Sequence, residues 1–529
     1  MCSGGDDAVI RQVVEKFVAR NRAFHERRRT STTGKTILVN AAYSDTFAVV
    51  SIMKIATAAA EILEGNILVL PHFKRAKWTR EILGSFLPRA ILPIRLLLFV
   101  AFLREMGRIF FMTIHLRTGR DVVKIHDGNL CIGIHIYDSM LKRLKVSSVD
   151  GLAMRHKAQV AFDLVYYFAI KKLFDRHSID FVVTPDNTYR DGLIYELMRA
   201  KLVPCIVGID LNGISIHRNE SREDYGEHCR LPDTEIVEAV SIRAEVLKAA
   251  EHYAETRFTG KEMQHDTMRA FASHKISVTR KDLQQEYGFT PSGRIVLVMA
   301  HIFSDAPHGF PGLLFDDFEH WLLQTCVRLR ENSQVEFLVK EHPSASLYGE
   351  DGMAAAVLAK VGLAHKLLPP TINTRSLFNS VDAVVTCGGT GGMEFPCFGV
   401  PVLVGARPAY HGFPYVVCPK TREKYFAEID SLHHYNPLGD EMIRIAKAVF
   451  YTIQVLQRVP KNRLGLGSQD YYMGANFNIE TFLEEMTEQC EQDGAYDALK
   501  EYLLVLLKGP YKNLYDYETL TRMKLSTVE

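Results

Sequence analysis

The chain has 529 residues, 47 % hydrophobic and 24 % charged, which calls for two or three domains and excludes disordered, collagen-like and disulfide-scaffold proteins. Sixty-three Lys and Arg face 62 Asp and Glu, so a formal net charge of +1 offers no global field to nucleic acid, and any charged site is local. Nine cysteines stand singly, without CxxC pairs or Cys/His ligand spacing, and residues 1–30 are polar and charge-rich; both features argue against a zinc site or a secreted chain and for a reducing cytoplasm.

Residues 36–40 form a short apolar run that reads as a strand, followed by Asp45 and an Ala-rich helical stretch over 49–63; 66–70 reads as the next strand. The segment 72–120 then holds ten Lys and Arg against two acids, interleaved with Trp78, Phe99, Phe102 and Phe110. Its most apolar part, 91–111, is interrupted by Arg95, Arg104, Glu105 and Arg108, short of the roughly 20 uninterrupted residues of a membrane span. Basic and apolar side chains together suit either peripheral contact with an anionic membrane surface or a buried helical hairpin with solvated arginines.

A strand over 181–184 ends at Pro185 and Asp186, a helix follows over about 192–201, and a strand over 204–209 ends at Asp210. Asp45, Asp186 and Asp210 thus stand at strand carboxyl ends, where open α/β sheets place ligands. Helical segments rich in Glu and Lys run over 232–288, and Thr290-Pro291-Ser292-Gly293 marks a boundary. A second block follows: a buried strand over 294–300, a helix over 315–332 capped by Asp316 and Asp317, and a strand over 335–340 closing at Glu341-His342-Pro343. Then come a helix over 351–361, a strand over 383–386, a Gly-rich turn over 388–392 and a strand over 401–404. Strand and helix alternate, which predicts an α/β fold with parallel sheets; residues 438–529 read as largely helical.

The turn carries the most chemistry. Four glycines let backbone N–H groups approach a ligand at a helix start, and phosphate is the natural guest. Its spacing is neither a Walker A motif nor a dinucleotide fingerprint, and Pro396 keeps the following helix short or bent. Glu394 falls in the first turn of that helix, where its carboxylate either reaches a ribose hydroxyl or serves as a surface cap. His342, followed by Pro343, is held extended at a strand end beside the turn. Chemistry at a substrate hydroxyl requires a base to take its proton, for which Asp45, Asp186 and Asp210 are candidates and His135 a weaker one.

Three stretches, VKEHPS (339–344), SVDAVVTCGGTGGMEFPCFGVPVLVGARPAYHG (380–412) and MAHIFSDAPHGFPGLLFDDFEHWL (299–322), resemble bacterial capsule polysaccharide biosynthesis glycosyltransferases of the GT-B fold. They are similar to Kdo, sialic acid and CDP-glycerol transferases, most strongly over about 290–430. The resemblance implies a GT-B-like α/β chain with two Rossmann-like parallel-sheet domains facing a cleft. An acceptor-side domain spans 31–289 after an N-terminal segment, 1–30; a donor domain spans 290–437, and a helical extension spans 438–529. It further implies that His342 contacts donor phosphate, that Gly389, Thr390, Gly391 and Gly392 cradle it, and that Glu394 holds the ribose. Asp305 matches a Ser-Asp-Ala element and either serves the site or caps a helix.

No DxD-like metal motif is placed convincingly, so the expectation is a nucleotide-sugar donor, CMP-, CDP- or UDP-linked. Its phosphates would be neutralised by a helix dipole, His342, Lys340 and Arg407 without obligatory Mg²⁺. A glycan or lipid-linked acceptor and a cytoplasmic enzyme peripheral to the inner membrane face complete that expectation. Two other readings stay open. The stretch GGMEFPCFGVPVLV also resembles non-hydrolysing UDP-sugar 2-epimerases, although these carry two adjacent glutamates where Glu394 is followed by Phe395. A binding or scaffold protein that uses 72–120 at a membrane is the third.

Overall fold

A computed structural model describes residues 4–28, 34–43, 45–74, 78–208, 215–221, 230–259, 265–467 and 478–523. Its strands are β1 (Thr36–Ala41), β2 (Asn66–Pro71), β3 (Ala90–Ile91), β4 (His126–Asp127), β5 (Leu130–Cys131), β6 (Phe181–Thr184), β7 (Cys205–Val207), β8 (His217–Asn219), β9 (Arg294–Met299), β10 (Val335–Lys340), β11 (Ala383–Thr386), β12 (Val402–Val404) and β13 (Val416–Val417). The chain divides into two compact units. The first draws on residues 1–115, 158–227 and 455–522, the second on 116–157, 228–454 and 523–529.

In the first unit the strand order is β3-β2-β1-β6-β7-β8. Val39 of β1 sits between Val69 and Val183, with both neighbours parallel. The expected parallel sheet holds except at its edge, where the three-residue β8 runs antiparallel to β7. The sheet order reverses between β1 and β6, as in a doubly wound sheet. The helix Thr46–Leu63 lies on this sheet because its alanines permit close approach; Ala56, Ala58 and Ala59 are fully buried. Among the described residues it is the one helix long and apolar enough to cross a membrane, but 72 % of that stretch is buried in the unit.

Residues 4–28, read from sequence only as a polar segment, form one helix, Gly4–Arg28. Its apolar stripe is narrow, with Val14, Phe17 and Phe24 buried at helical spacing, so composition alone hides it. The helices Ile479–Gln489 and Asp493–Lys508 add Phe482, Leu483, Leu499 and Leu503 to the same core as Val39 and Phe47.

The second unit holds an all-parallel sheet of order β10-β9-β11-β12-β13, which reverses between β9 and β11. The helix Phe318–Glu331 covers one face with Trp321 and Leu322, and Trp321 Nε1 donates to Tyr425 Oη at 2.9 Å. Both units are therefore Rossmann-like, the composition expected of a GT-B-like α/β chain.

Unit membership departs from the boundary read at 289/290. Residues 228–259 join the second unit through aromatic packing: Phe258 stacks on Phe450 at 5.7 Å and meets Phe378 edge-on at 5.0 Å. Residues 116–157 join it through buried polar contacts, with Tyr137 Oη donating to Asp317 at 2.7 Å and His308 Nδ1 bonded to Asp138 at 2.7 Å. A Pro-Ser-Gly turn signals a local break and carries no information on such distant partners.

Candidate functional site

The carboxyl ends of β9, β10 and β11 converge where the second sheet reverses, the position at which doubly wound sheets bind ligands. Met299, Ala300 and His301 arrive from β9, Lys340, Glu341, His342 and Pro343 from β10, and Thr386, Gly389, Thr390, Gly391 and Glu394 from β11 and its turn. With Arg257, Phe271 and Thr374 they enclose a cavity of about 60 Å³.

The turn is braced from behind. The N–H of Gly388 donates to His301 Nε2 at 3.1 Å, so the neutral His301 ring carries its proton on Nδ1, and this ring stacks on Phe318 at 4.4 Å. The N–H of Gly389 donates to Thr386 Oγ1 at 3.3 Å, and Tyr410 Oη donates to the Gly389 carbonyl at 2.6 Å. The N–H groups of Thr390 and Gly391 meet no acceptor among the described residues. Two successive open N–H groups make a small concavity whose geometry suits an anion.

Three of the glycines have different reasons. A Cβ at 392 would stand 2.1 Å from Tyr410 Oη, and one at 391 would stand 2.3 Å from Met299 Sδ, so both are required by packing against the protein itself. A Cβ at 389 meets nothing closer than 3.4 Å. Gly392 does not line the cavity, which corrects its expected place in the cradle. The helix Gly391–Glu394 is a single turn that Pro396 converts to a 3₁₀ turn, Phe395–Phe398, so the expected dipole contribution is small.

Charge comes from side chains instead. Lys340 is 4 % exposed and donates to the Ile372 carbonyl at 3.0 Å. Burial, with Lys275 nearby, pushes its ammonium down to about 7. Lys275 is itself lowered by burial and by Arg269. Arg257, 2 % exposed, lies 3.5 Å from Glu394 Oε1, with its guanidinium 5.5 Å above the Phe450 ring. Glu394 is thus a buried partner of arginine and not a surface cap. Burial raises Glu341 above its ordinary carboxyl value. His342 Nδ1 accepts the N–H of Ser344 at 3.2 Å, which leaves Nε2 to carry the proton of the neutral ring.

His342, Gly389, Thr390, Gly391 and Glu394 are therefore brought together. Asp305 and Arg407 are not among the lining residues. The loop of Asp305 is held by Glu350, which accepts the N–H groups of Phe303 and Ser304 at 2.8 and 2.9 Å, and Arg407 packs against Gly312. Asp317 caps the helix Phe318–Glu331, accepting the N–H of His320 at 2.8 Å, as the sequence reading has it. His135 is buried on the helix Gly133–Leu144. Sequence reasoning missed His301, Lys275 and Arg257; a histidine directly after β9, in the same place as His342 after β10, was the available signal for the first.

The remaining candidates belong to the first unit. Asp45 accepts the N–H of Ala48 at 3.0 Å and caps the helix Thr46–Leu63. Asp186 accepts from the N–H groups of Asn187 and Thr188 at 2.6 and 3.0 Å and from Thr188 Oγ1 at 2.9 Å. Asp210 lies outside the described residues. An unanticipated carboxylate, Asp191, accepts from Asn40 Nδ2 at 2.7 Å and Tyr43 Oη at 2.6 Å, at the reversal between β1 and β6. Burial, Asp191 and Asp186 together hold the Tyr43 hydroxyl well above its ordinary value.

Among the described residues no group of three or more His, Cys, Asp or Glu side chains is placed to hold a metal ion. No family profile matches the sequence, and no curated protein matches it. Solved structures do. Thermosulfurimonas dismutans KpsC, a β-Kdo 2,4 transferase, is 16 % identical, matches over 51 % of this chain and 80 % of its own, and gives a TM-score of 0.31. A glycosyltransferase from Rickettsia africae is 9 % identical over 87 % of this chain and all of its own, with a TM-score of 0.25. The UDP-GlcNAc 2-epimerase of Methanocaldococcus jannaschii is 12 % identical over 79 % of this chain and 98 % of its own, also with a TM-score of 0.25.

Proposed function

We propose that the chain is a glycosyltransferase that uses a nucleotide-activated sugar, with the donor phosphates bound in the cavity at the ends of β9, β10 and β11. The observation that carries this reading is the collection of buried cations, Lys340 and Arg257, around His342 and the two open N–H groups of Thr390 and Gly391. Arg257 already has an anionic partner in Glu394, but the Lys340 ammonium, buried and beside Lys275, is disfavoured and would be favoured by an incoming anion. The motif resemblance over 290–430 supports the same assignment. At about 60 Å³ the cavity holds a few waters' worth of volume, suited to a phosphate group, whereas a whole ligand of nucleotide-sugar size needs roughly 300 Å³ or more. The base and sugar therefore extend beyond it.

In the transfer, the acceptor oxygen bonds to the anomeric carbon as the bond from that carbon to donor phosphate oxygen breaks, the acceptor proton passes to a base, and negative charge gathers on the departing phosphate. Lys340, His342 and the N–H groups of Thr390 and Gly391 are the groups assigned to receive that charge. Turnover is expected to persist in the presence of a metal chelator.

A sugar-nucleotide assay tests the reading. Transfer releases nucleotide, a 2-epimerase changes the sugar without release, and a binding protein does neither. Thermal shift with CMP, CDP, UDP, GDP and ADP identifies the base, since a ligand at 100 times its Kd adds about 2.7 kcal/mol to the folded state. A cytidine or uridine nucleotide and a glycan or lipid-linked acceptor are the expected substrates.

A further inference from the structure

The helix Ile94–Ile114 of the first unit is apolar on both sides. Ile94, Ala101, Ile109 and Thr113 are buried and fix one side to the unit. On the other side Leu96, Phe99, Leu103, Met106, Phe110 and Ile114 are 45–62 % exposed. At 3.6 residues per turn these six fall within an arc of about 80°. Phe102 and Phe111, 46 % and 73 % exposed, extend the arc on either side. Eight large side chains about half exposed present roughly 800 Å² at about 200 Å² each, above the 300–600 Å² of a typical largest surface patch.

The surroundings of this stripe are cationic. Within 72–115 the described Lys74, Arg80, Arg89, Arg95, Arg104 and Arg108 are all exposed and outnumber the acids Glu81 and Glu105. Beside the start of the helix, after β2 and β3, lies a cavity of about 600 Å³ lined by Lys74, Trp78, Arg80 and Arg95, with Glu81 as the acid among its lining residues. An open cavity with cationic walls next to an apolar ridge fits a phosphate headgroup whose acyl chains meet the ridge.

We infer that the helix Ile94–Ile114 and its adjoining cavity dock the protein onto an anionic phospholipid bilayer, with the helix lying in the interface plane. A bilayer surface offers apolar depth and negative charge together, which matches both properties of the patch. A second copy of this chain would instead bring two like-charged sets of arginines face to face in an isologous contact. This inference is independent of the reaction assigned to the second unit.

The test is sedimentation of the full chain with vesicles of phosphatidylcholine alone, or with about 30 mol % phosphatidylglycerol. The expected result is binding to the anionic vesicles at about 0.1 M salt that falls steeply at about 1 M, as the Debye length contracts from about 10 Å to about 3 Å. The paired changes F99S/F110S and R80E/R104E should each lower partitioning about tenfold or more with unchanged circular dichroism and melting temperature. The unaltered chain supplies a second readout. Trp78 lines the cavity whereas Trp321 is fully buried, so brominated lipid should quench part of the tryptophan emission on binding. Negligible sedimentation with both vesicles, or equal binding to both at all salts, overturns the inference. So does self-association that F99S/F110S abolishes in a chain that ignores vesicles.

Discussion

Replacing Lys340 with Met removes the buried ammonium while keeping most of the side-chain volume, and its consequences depend on pH. In the free protein this group is held near 7 against an ordinary value of 10.5, because it is 4 % exposed with another lysine nearby. Between those values the unfolded chain binds a proton that the folded chain lacks, so Lys340 makes the free protein more stable as pH rises from about 7 towards 10.5. A bound phosphate reverses the preference. If it restored the ordinary value in full, the coupling would reach about 5 kcal/mol at 1.36 kcal/mol per unit, an upper limit. Nucleotide diphosphate affinity should therefore fall by up to about tenfold per pH unit above about 7, with uptake of one proton per nucleotide bound. In K340M the slope should vanish and the affinity at pH 7 should drop by about 10- to 100-fold, the loss of one charge-assisted hydrogen bond. Calorimetry in buffers of different ionisation enthalpy, run above pH 7.5, reads both quantities. A level affinity in the unaltered protein, or the same slope in K340M, would show that the ammonium does not face the anion.

Other substitutions address the remaining parts. His342→Ala should lower turnover by about 10²-fold or more in a folded protein, measured as kcat/KM with saturating acceptor. Gly389→Ala should leave the melting temperature unchanged and weaken nucleotide-induced stabilisation, whereas Gly392→Ala, driven into Tyr410, should cost about 1–3 kcal/mol of stability before any ligand is added. Asp186→Asn and Asp191→Asn, compared by turnover, test each as a base: a loss of about 10²-fold or more is expected of a residue that takes the acceptor proton, and a much smaller one of a residue that only shapes a turn. Finally, Asp138 raises His308 and Asp317 raises His320, so both imidazoliums stabilise the fold below about 6.5 and that stability is lost as pH rises through their elevated values. The melting-temperature deficit of D138N relative to the unaltered protein should therefore be largest below about pH 6.5 and shrink as pH rises above it.

The strands were legible where their residues alone decide them. The apolar run at 294–299 reads as a buried strand, and Thr386 before the glycines marks the end of another, Ala383–Thr386. His342 was legible because Pro343 fixes its place beside that run. Lys340 was visible as a residue, but its perturbed charge arises from Lys275 and from burial supplied by distant segments. Arg257 reaches Glu394 from a helix far earlier in the chain, and nothing within either segment predicts the pair. Gly392 failed in the opposite sense: a phosphate turn and a close-packed turn both demand glycine, and only Tyr410 distinguishes them. Asp191 escaped because its partners, Asn40 and Tyr43, lie on another βα connection of the first sheet.

The threading of the first unit matters at the ribosome. Its sheet is encoded before residue 227, yet Phe482, Leu483, Leu499 and Leu503, which complete the core around Val39 and Phe47, come from residues 455–522. At 5–20 residues per second, translating the intervening stretch takes roughly 10–45 s, during which the nascent sheet exposes one apolar flank. A chain stopped at residue 454 would carry that exposure permanently. The helices Ile479–Gln489 and Asp493–Lys508, made long after the first sheet, are thus the ones that close it.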